Sequence, residues 1–546
     1  MRIALAQLNY IIGDFAGNKK KIIDTVKKCE AHHADVVVFS ELAICGYPPQ
    51  DFLEFEDFIN QCHQSLTDIA SHCKHCSVII GAPSKNTDKK GKNLFNSAWL
   101  LADGKATTVA HKSLLPNYDI FDEYRYFESG KNFHCIELNG KRLAITICED
   151  IWDISTDDPL YFTPPMDVLS KQNPDIMINL SASPFNYEQA NMRRKVLKDN
   201  ALRYDVPVVY VNQVGAQTEI LFDGNSCVVN ANGEVLLQCK SFEEDVCFFE
   251  FDENISKLPS IQGTQLSQMQ LIHDALVMGI KDYFAKMGFT KAVLGLSGGI
   301  DSAITAALAV EALGKENVYG VLLPSEYSTS HSVKDAEDLA NNLGCKYDII
   351  SIKDAYVSIL NSVQPFFNGL PFNVAEENIQ ARARGIILMA LSNKLGYILL
   401  NTTNKSEAAV GYGTLYGDMC GGIAVLADVY KTQIYKLADY INREREIIPQ
   451  NTINKPPSAE LRPGQKDSDS LPDYAVLDAI LYQYVELRKS PHDIIEKGFD
   501  QTTVRRVLKM VNSNEWKRYQ FAPILRVSSK SFGLGRRMPI VGKYLS

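Results

Sequence analysis

From residue 2 to about residue 240 the chain alternates short apolar runs, rich in Val and Ile, with longer stretches of mixed polarity. The runs are RIALAQLN, DVVVFSEL, SVIIGAP, NSAWLLA, RLAITICED, DIMINLSAS, PVVYVNQVG and SCVVNANGEVLLQC. Strand-length runs separated by amphipathic segments predict a layered α/β sandwich of helices on sheets. Residues 252–265, DENISKLPSIQGTQ, are polar, contain Pro259 and Gly263, and read as a linker. The pattern then restarts with QMQLIHDALVMGIKDYFAKMG, a helix, and KAVLGL, a strand. VYGVLLPS, KYDIISI and GYILLNTT follow, separated by helix-length segments. Near-continuous apolar strands repeating with helices predict a doubly wound parallel sheet. The expected organisation is therefore one domain over 1–251, a linker over 252–265 and a second domain over 266–546. Residues 454–473, NKPPSAELRPGQKDSDSLPD, carry four prolines and a dense charge cluster. This segment is predicted to stay out of the core, either as a surface excursion or as an ordered lid over a ligand.

Composition narrows the partners. A chain of 546 residues is too long for one core, and 45 % hydrophobic with 22 % charged residues is ordinary for a globular enzyme. The net charge of −9 argues against nucleic acid as a partner. The apolar runs are far shorter than the roughly 20 residues of a membrane span, so no membrane partner is expected. The N-terminus MRIALAQLNYIIGD reads as a first strand rather than a signal peptide, and a cytoplasmic location is expected. The 12 cysteines are then expected as mostly reduced, buried thiols. Cys62-His63 and His72-Cys73-Lys74-His75-Cys76 carry some zinc-ligand spacing, but a polar helix end running into SVIIGAP explains them better. No metal is assigned there.

Three residues of the first half stand at strand ends or in conspicuous loops. Glu41 closes DVVVFSE, Lys112 opens HKSLLPNYDIFDEYRYF, and Cys148 ends RLAITIC. Taken singly, the thiol reads as a packed side chain and the lysine as a solvated one. A carboxylate directly after an apolar strand must be exposed or paired. Together they supply a nucleophile, a base and an oxyanion-stabilising cation, the set needed to break an unactivated carboxamide. With FSELAICGYPPQD, ITICEDIW and NLSASPF, these segments resemble the nitrilase, or carbon–nitrogen hydrolase, family over about residues 1–250. The resemblance implies an αββα sandwich with Glu41 as general base, Lys112 as oxyanion stabiliser and Cys148 as the nucleophile forming a γ-glutamyl thioester. It places Tyr118 and Ser183 as glutamine contacts. Gln189 stands where a basic residue is common, so its contact to the α-carboxylate departs from the family pattern. Glu149, next to the nucleophile, is expected to help orient the site.

In the second half, Gly295-Leu296-Ser297-Gly298-Gly299-Ile300-Asp301-Ser302 follows the strand KAVL directly. Small residues let backbone N–H groups approach a phosphate, the next helix aims its positive end at it, and Asp301 can hold a metal. No Gly-Lys pair here is followed by Ser or Thr, so this is not a Walker A loop. SGGIDS on a strand-to-helix turn resembles the ATP-pyrophosphatase superfamily. EENIQARARG, NTTNKSEAAVGYGTLYGD, VYKTQIY, KPPSAELRP and EWKRYQFAP narrow the resemblance to the NAD synthetases over about residues 265–546. A nitrilase-like half in front points to their glutamine-dependent branch.

That resemblance implies ATP as co-substrate and Mg²⁺, with glutamine and deamido-NAD as the other partners and a homo-oligomer as the assembly. It places Thr402, Lys431 and Ser458 as ATP contacts, and Asp301 with Glu407 around the metal. Asn378, Arg382, Glu407 and Lys517 are the implied contacts to deamido-NAD. Leu415 stands where ammonia-only relatives carry a lysine, so that contact is not carried over. From Glu515 to Ser546 there are seven Lys or Arg residues against one acid, a basic patch suited to a pyrophosphate-bearing substrate. Other ligases fit less well. Met1 is followed by Arg2 rather than a terminal cysteine, no Cys–His glutaminase pairing is legible, and the second half holds only Cys345 and Cys420. A plain amidase, or a silent scaffold in front of an ammonia-fed synthetase, is the rival from another class. Retention of Glu41, Lys112 and Cys148 together argues against the scaffold.

Overall fold

The computed structural model describes residues 1–88, 90–154, 160–252, 255, 258–261, 263 and 266–545. The expected linker over 252–265 lies partly outside them, at residues 253, 254, 256, 257, 262, 264 and 265. The chain divides into two compact units, Met1–Gln265 and Leu266–Ser546.

The first unit contains β1 (Arg2–Gln7), β2 (Val36–Val38), β3 (Ser77–Lys85), β4 (Leu94–Ala102), β5 (Lys105–His111), β6 (Ile136–Leu138) and β7 (Lys141–Ile147). It continues with β8 (Ile176–Ser181), β9 (Val208–Asn212), β10 (Val214–Gln217), β11 (Ile220–Asp223), β12 (Cys227–Val229), β13 (Val235–Gln238) and β14 (Asp245–Glu250). One six-stranded sheet runs β14-β1-β2-β3-β4-β5 and the other β13-β12-β9-β8-β7-β6. Alternation along each strand sorts the side chains into layers. Ala4 and Ala6 pack with Ile22 and Val26 of the helix Phe15–Ala31. Ile3 and Leu5 point the other way and meet Ile145, Ile178 and Val209 of the second sheet. The outer face of that sheet, with Ala144 and Met177, packs on Val196 and Leu197 of the helix Gln189–Tyr204. Helix, sheet, sheet and helix therefore form the expected four-layer sandwich.

The second unit is built on β15 (Ala292–Gly295), β16 (Val318–Leu322), β17 (Lys346–Ile349), β18 (Ile398–Asn401) and β19 (Ile423–Ala424). Their order is β17-β16-β15-β18-β19, with every pairing parallel. The order reverses direction at β15, the topological switch point where such sheets bind ligands beyond the carboxyl ends of the strands. KYDIISI does not behave as a buried strand. It forms the edge, with Ile349 largely exposed, because only β16 pairs with it. A second cluster lies among later helices, joining Ala408 and Val410 to Leu477, Leu481, Val504 and Leu508. The segment 454–473 does not stay wholly out of the core. Leu471 is buried in this cluster, and buried Asp467 accepts hydrogen bonds from Tyr412 Oη (3.2 Å) and Tyr474 Oη (2.9 Å).

Candidate active sites

In the first unit the strand DVVVFSE stops at Val38, and Glu41 lies in the turn beyond it. Gly81 of β3 lies directly beneath this turn, where a Cβ would come within 2.2 Å of Leu42 N. A side chain there would push the turn away, so the missing Cβ sets where Glu41 sits. Lys112 follows the last residue of β5, and Cys148 follows the last residue of β7. Cys148 adopts φ 43°, a left-handed conformation costly for a non-glycine residue and common at functional turns. Asp150 ties the two segments together. Its carboxylate accepts from the N–H groups of Ser113 (2.9 Å), Leu114 (2.9 Å) and Ile147 (3.0 Å).

Lys112 is fully buried and points its ammonium at two carboxylates. Its Nζ donates to Glu41 Oε1 at 2.7 Å and to Glu123 Oε1 at 2.7 Å. Asn96 Nδ2 also donates to Glu41 Oε1 (2.7 Å), Ala182 N donates to Glu41 Oε2 (2.9 Å), and Tyr47 Oη donates to Glu123 (2.8 Å). Burial alone would drive Lys112 neutral, but Glu123 and Glu41 outweigh it and hold the ammonium well above the usual lysine range. One cation cannot neutralise two carboxylates. Burial and the neighbouring Glu41 accordingly push the Glu123 carboxyl up to about 7 despite Lys112. Burial, followed by the charge of Glu41, raises the Cys148 thiol well above its ordinary value, with Lys112 opposing. Cys148 is therefore held as a thiol beside the charge of Glu41.

Of the other expected residues, Tyr118 donates its hydroxyl to Glu149 Oε1 at 2.8 Å, and Tyr161 joins from 3.2 Å. Glu149 is buried directly after Cys148, and burial raises its pKa. Ser183 is buried beside the Glu41 contact Ala182, and its N–H donates to Asn212 Oδ1 at 2.9 Å. Gln189 opens its helix and accepts from Asn186 Nδ2 at 3.1 Å. Glu123, Asn96 and Tyr47 were not singled out from sequence. Glu123 stands in the same loop as Lys112, eleven residues on, among five other acidic or tyrosyl side chains that mask it. Asn96, a polar residue at a buried strand position, is the clearer signal. The cysteines of the 62–76 cluster are buried as packed thiols, with Cys62 next to Cys45.

In the second unit a cavity of about 320 Å³ opens at the switch point. Gly295, Leu296, Ser297, Gly299, Ile300, Asp301 and Ser302 line it. Gly298 takes φ 76°, and a Cβ on it would come within 2.1 Å of Ser332 O, so the turn requires glycine. Ser302 Oγ donates to Gly299 O (2.9 Å) and accepts from Ser297 N (3.3 Å), closing the loop on itself at the start of the helix Ile300–Leu313. Thr402, Lys431, Ser458 and Glu407 line the same cavity. Lys431 Nζ lies 2.5 Å from Asp301 Oδ2 and 3.8 Å from Glu407 Oε1, while Asn404 Nδ2 holds Asp301 Oδ1 at 2.9 Å. Burial and the nearby Asp301 raise the Glu407 carboxyl to about 8. Glu460, within 454–473, accepts from Ser332 Oγ (2.7 Å) and Thr329 Oγ1 (3.0 Å), which pins this segment along the cavity wall.

Asn378, Arg382 and Lys517 do not line this cavity but converge on one segment beside it. Asn378 Oδ1 accepts from Thr414 Oγ1 (2.6 Å), Arg382 Nε donates to Leu415 O (3.2 Å), and Lys517 Nζ donates to Gly411 O (2.8 Å) and Gly413 O (3.0 Å). The basic C-terminal stretch is partly structural. Arg518 and Arg536 both pair with Glu515 at 2.6 Å, and Arg518 also donates to Ala409 O. Leu415 is buried and offers no charge.

Two family patterns match the chain, one on each unit: carbon-nitrogen hydrolase over residues 2–259 and NAD synthase over residues 272–521. The chain is 44 % identical to the glutamine-dependent NAD(+) synthetase of a Synechocystis species, covering 98 % of both proteins. It is 40 % identical to that of Thermotoga maritima over 100 % of this chain and 99 % of the relative. A solved glutamine-dependent NAD(+) synthetase from Acinetobacter baumannii, in complex with ADP, matches with a TM-score of 0.79 and 40 % identity over 99 % of this chain and 98 % of that one.

Proposed function

Because the chain belongs to the glutamine-dependent NAD(+) synthetases, we propose that its two units carry the two halves of one ligation. The first hydrolyses glutamine to glutamate and ammonia. The second uses ATP to activate the nicotinate carboxylate of deamido-NAD as an acyl-adenylate, and ammonia converts that to NAD with release of AMP and pyrophosphate. The observation that carries this reading is the buried ion cluster of Lys112 with Glu41 and Glu123, whose charges act on Cys148, on the same chain as the SGGIDS cavity.

In the first step Cys148 Sγ attacks the carboxamide carbon while Glu41 takes the thiol proton and later hands it to departing ammonia. Lys112, kept charged by two carboxylates, stabilises the oxyanion. Water then hydrolyses the γ-glutamyl thioester with Glu41 as base. Since the thiol is held protonated until a substrate arrives, the resting enzyme is protected from side reactions. Tyr118, Ser183 and Gln189 contact the amino-acid end of glutamine. Gln189 is neutral and offers that end a hydrogen bond in place of a full charge.

In the second unit the N–H groups of Gly295 to Ser302 cradle the phosphates of ATP, with Thr402, Ser458 and Lys431 as further contacts. The carboxylates of Asp301 and Glu407 both approach Lys431 Nζ, and burial together with the charge of Asp301 raises Glu407, an acidic pair suited to a hard divalent cation. These two would hold Mg²⁺, which when bound supplies positive charge to the phosphates. Asn378, Arg382 and Lys517 hold deamido-NAD through the segment 411–415, with Glu407 near its reacting end. Ammonia is mostly protonated near pH 7 in water, so its release inside a buried site keeps it nucleophilic. The partners on this reading are glutamine, ATP and deamido-NAD. A homo-oligomer is the working form, supported by exposed Val374, Ile386, Met389 and Leu395 along one helix.

Cys148→Ala tests the division of labour. Glutamine should fail as nitrogen donor, while NAD should still form from high ammonium, increasingly so as pH rises and more of it is neutral. Loss of both activities in a folded variant, or survival of the glutamine-dependent one, would overturn the assignment.

A further inference from the structure

A third group of reactive side chains lies outside both sites. Strands β13 and β14 are edge strands of different sheets in the first unit. Cys239 directly follows β13, and Asp245 and Cys247 occupy alternate positions, hence one face, of β14. One oxygen of Asp245 and the two sulfurs all lie within 4.8 Å of one another. We propose that Cys239, Asp245 and Cys247 form a binding site for a zinc-class divalent cation that bridges the edges of the two sheets, its fourth position open to water.

The donor geometry supports this. Metal–sulfur bonds of about 2.3 Å and metal–oxygen bonds of about 2.1 Å in a tetrahedron separate the donors by about 3.6–3.8 Å. Cys247 Sγ stands 3.4 Å from Asp245 Oδ2, so only small side-chain rotations separate the present arrangement from a coordinating one. Two thiolates with one carboxylate select zinc over magnesium or calcium, which prefer oxygen alone. The scaffold is rigid. Cys247 is registered opposite Leu5 and Asp245 opposite Gln7 in the first sheet, and Cys239 N donates to Ser226 O at 2.7 Å in the second. The Asp245 carboxylate is oriented by Lys240 N at 3.1 Å, the kind of supporting contact that tunes metal ligands. Cys239 is 2 % exposed whereas Asp245 and Cys247 are partly exposed, giving the site a closed floor and an entry side.

The test is cobalt titration of the full chain, purified under reducing conditions and stripped with a chelator. Binding of one Co²⁺ per chain should produce a thiolate-to-cobalt absorption band that Zn²⁺ abolishes by competition. Cys148→Ala should keep the band, Cys247→Ser should lose it, and Asp245→Asn should weaken Co²⁺ binding by about 10-fold or more. Zn²⁺ should raise the melting temperature of the parent chain and leave that of Cys247→Ser unchanged. Should Cys239→Ser fail to fold, Cys247→Ser carries the result, because its side chain is only partly buried. Absence of the band, its survival in Cys247→Ser, or a quantitative Cys239–Cys247 disulfide in protein prepared without reductant would each overturn the proposal.

Discussion

Lys112→Met removes the cation that Glu41 and Glu123 share, and the structure sets the size and pH dependence of the result. Lys112 Nζ lies 2.7 Å from an oxygen of each carboxylate, and all three groups are buried. Removing one partner from a buried ion cluster costs about 3–5 kcal/mol, mostly as the penalty of the charges left behind. Protonation relieves that penalty. Glu123 already titrates at about 7 with the lysine present. Without it, burial and Glu41 act unopposed and its pKa rises further. A carboxyl whose folded pKa exceeds its unfolded value of about 4.3 destabilises the fold above that value. The penalty grows by about 1.4 kcal/mol per pH unit until the folded pKa is passed. In the parent chain this growth stops near pH 7, whereas in the variant it continues. From Glu123 the deficit should therefore grow by about 1.4 kcal/mol between pH 7 and pH 8, within a total of about 3–5 kcal/mol at pH 8. For a unit of this size that is roughly 6–20 °C in melting temperature. Calorimetry of the full chain from pH 5 to 8.5 reads it as a shift of one of two transitions. Glutamine hydrolysis should vanish while ammonium-dependent NAD formation persists. A deficit independent of pH, or below about 1 kcal/mol at pH 8, would refute the shared-cation account.

Lys517→Ala should raise the KM for deamido-NAD by roughly 10- to 150-fold, because a charge-assisted contact and the anchor of segment 411–415 are lost together. An equal rise in the KM for ATP would show that the whole cavity had collapsed instead. Gly298→Ala puts a Cβ where Ser332 O stands 2.1 Å away at φ 76°, so kcat/KM for ATP should fall by about 10-fold or more. Glutaminase activity measured on the same preparation should not change. Burial disfavours the charged ring of His273, but hydrogen bonds to Asp274 (2.8 Å) and Glu311 (3.0 Å) outweigh it and lift its pKa to about 9. A raised folded pKa contributes stability that is complete below about 6.5 and is lost as pH rises through 9. His273→Gln should accordingly destabilise by about 1–2 kcal/mol at pH 6, discounted for the exposed Glu311, and by much less at pH 9.5. Denaturant melts at the two pH values decide it.

Much of the architecture was legible along the chain because it depends on local periodicity. Alternation in RIALAQ places Ile3 and Leu5 on one face of a strand and Ala4 and Ala6 on the other, which is enough for a sandwich. The apolar strands followed by helices of the second half are enough for a parallel sheet, and SGGIDS is legible because its chemistry is contiguous. The edge position of KYDIISI was not legible, since an edge strand and a central one carry similar residues and differ only in what pairs beside them. Nor was the burial of Leu471 within a proline-rich segment, which depends on helices some distance along the chain.

The candidate sites divide in the same way. The resemblance to the nitrilase family singles out Glu41, Lys112 and Cys148, but residue types and order do not say that Lys112 is shared. That Glu123 competes with Glu41 for one ammonium arises from a loop folding back over the ends of β2 and β5. The resulting pKa values follow from burial and distance, which no linear pattern encodes. Asp301 stands more than a hundred residues of chain from Glu407 and Lys431 and meets them only because β15 and β18 are neighbours in the sheet. Likewise Cys239, Asp245 and Cys247 draw no notice as a sequence motif. Sequence set which chemical groups the chain carries and the local elements that hold them. Tertiary packing set which of those groups share a charge, because Coulomb interaction and desolvation depend on distance and burial rather than on position along the chain.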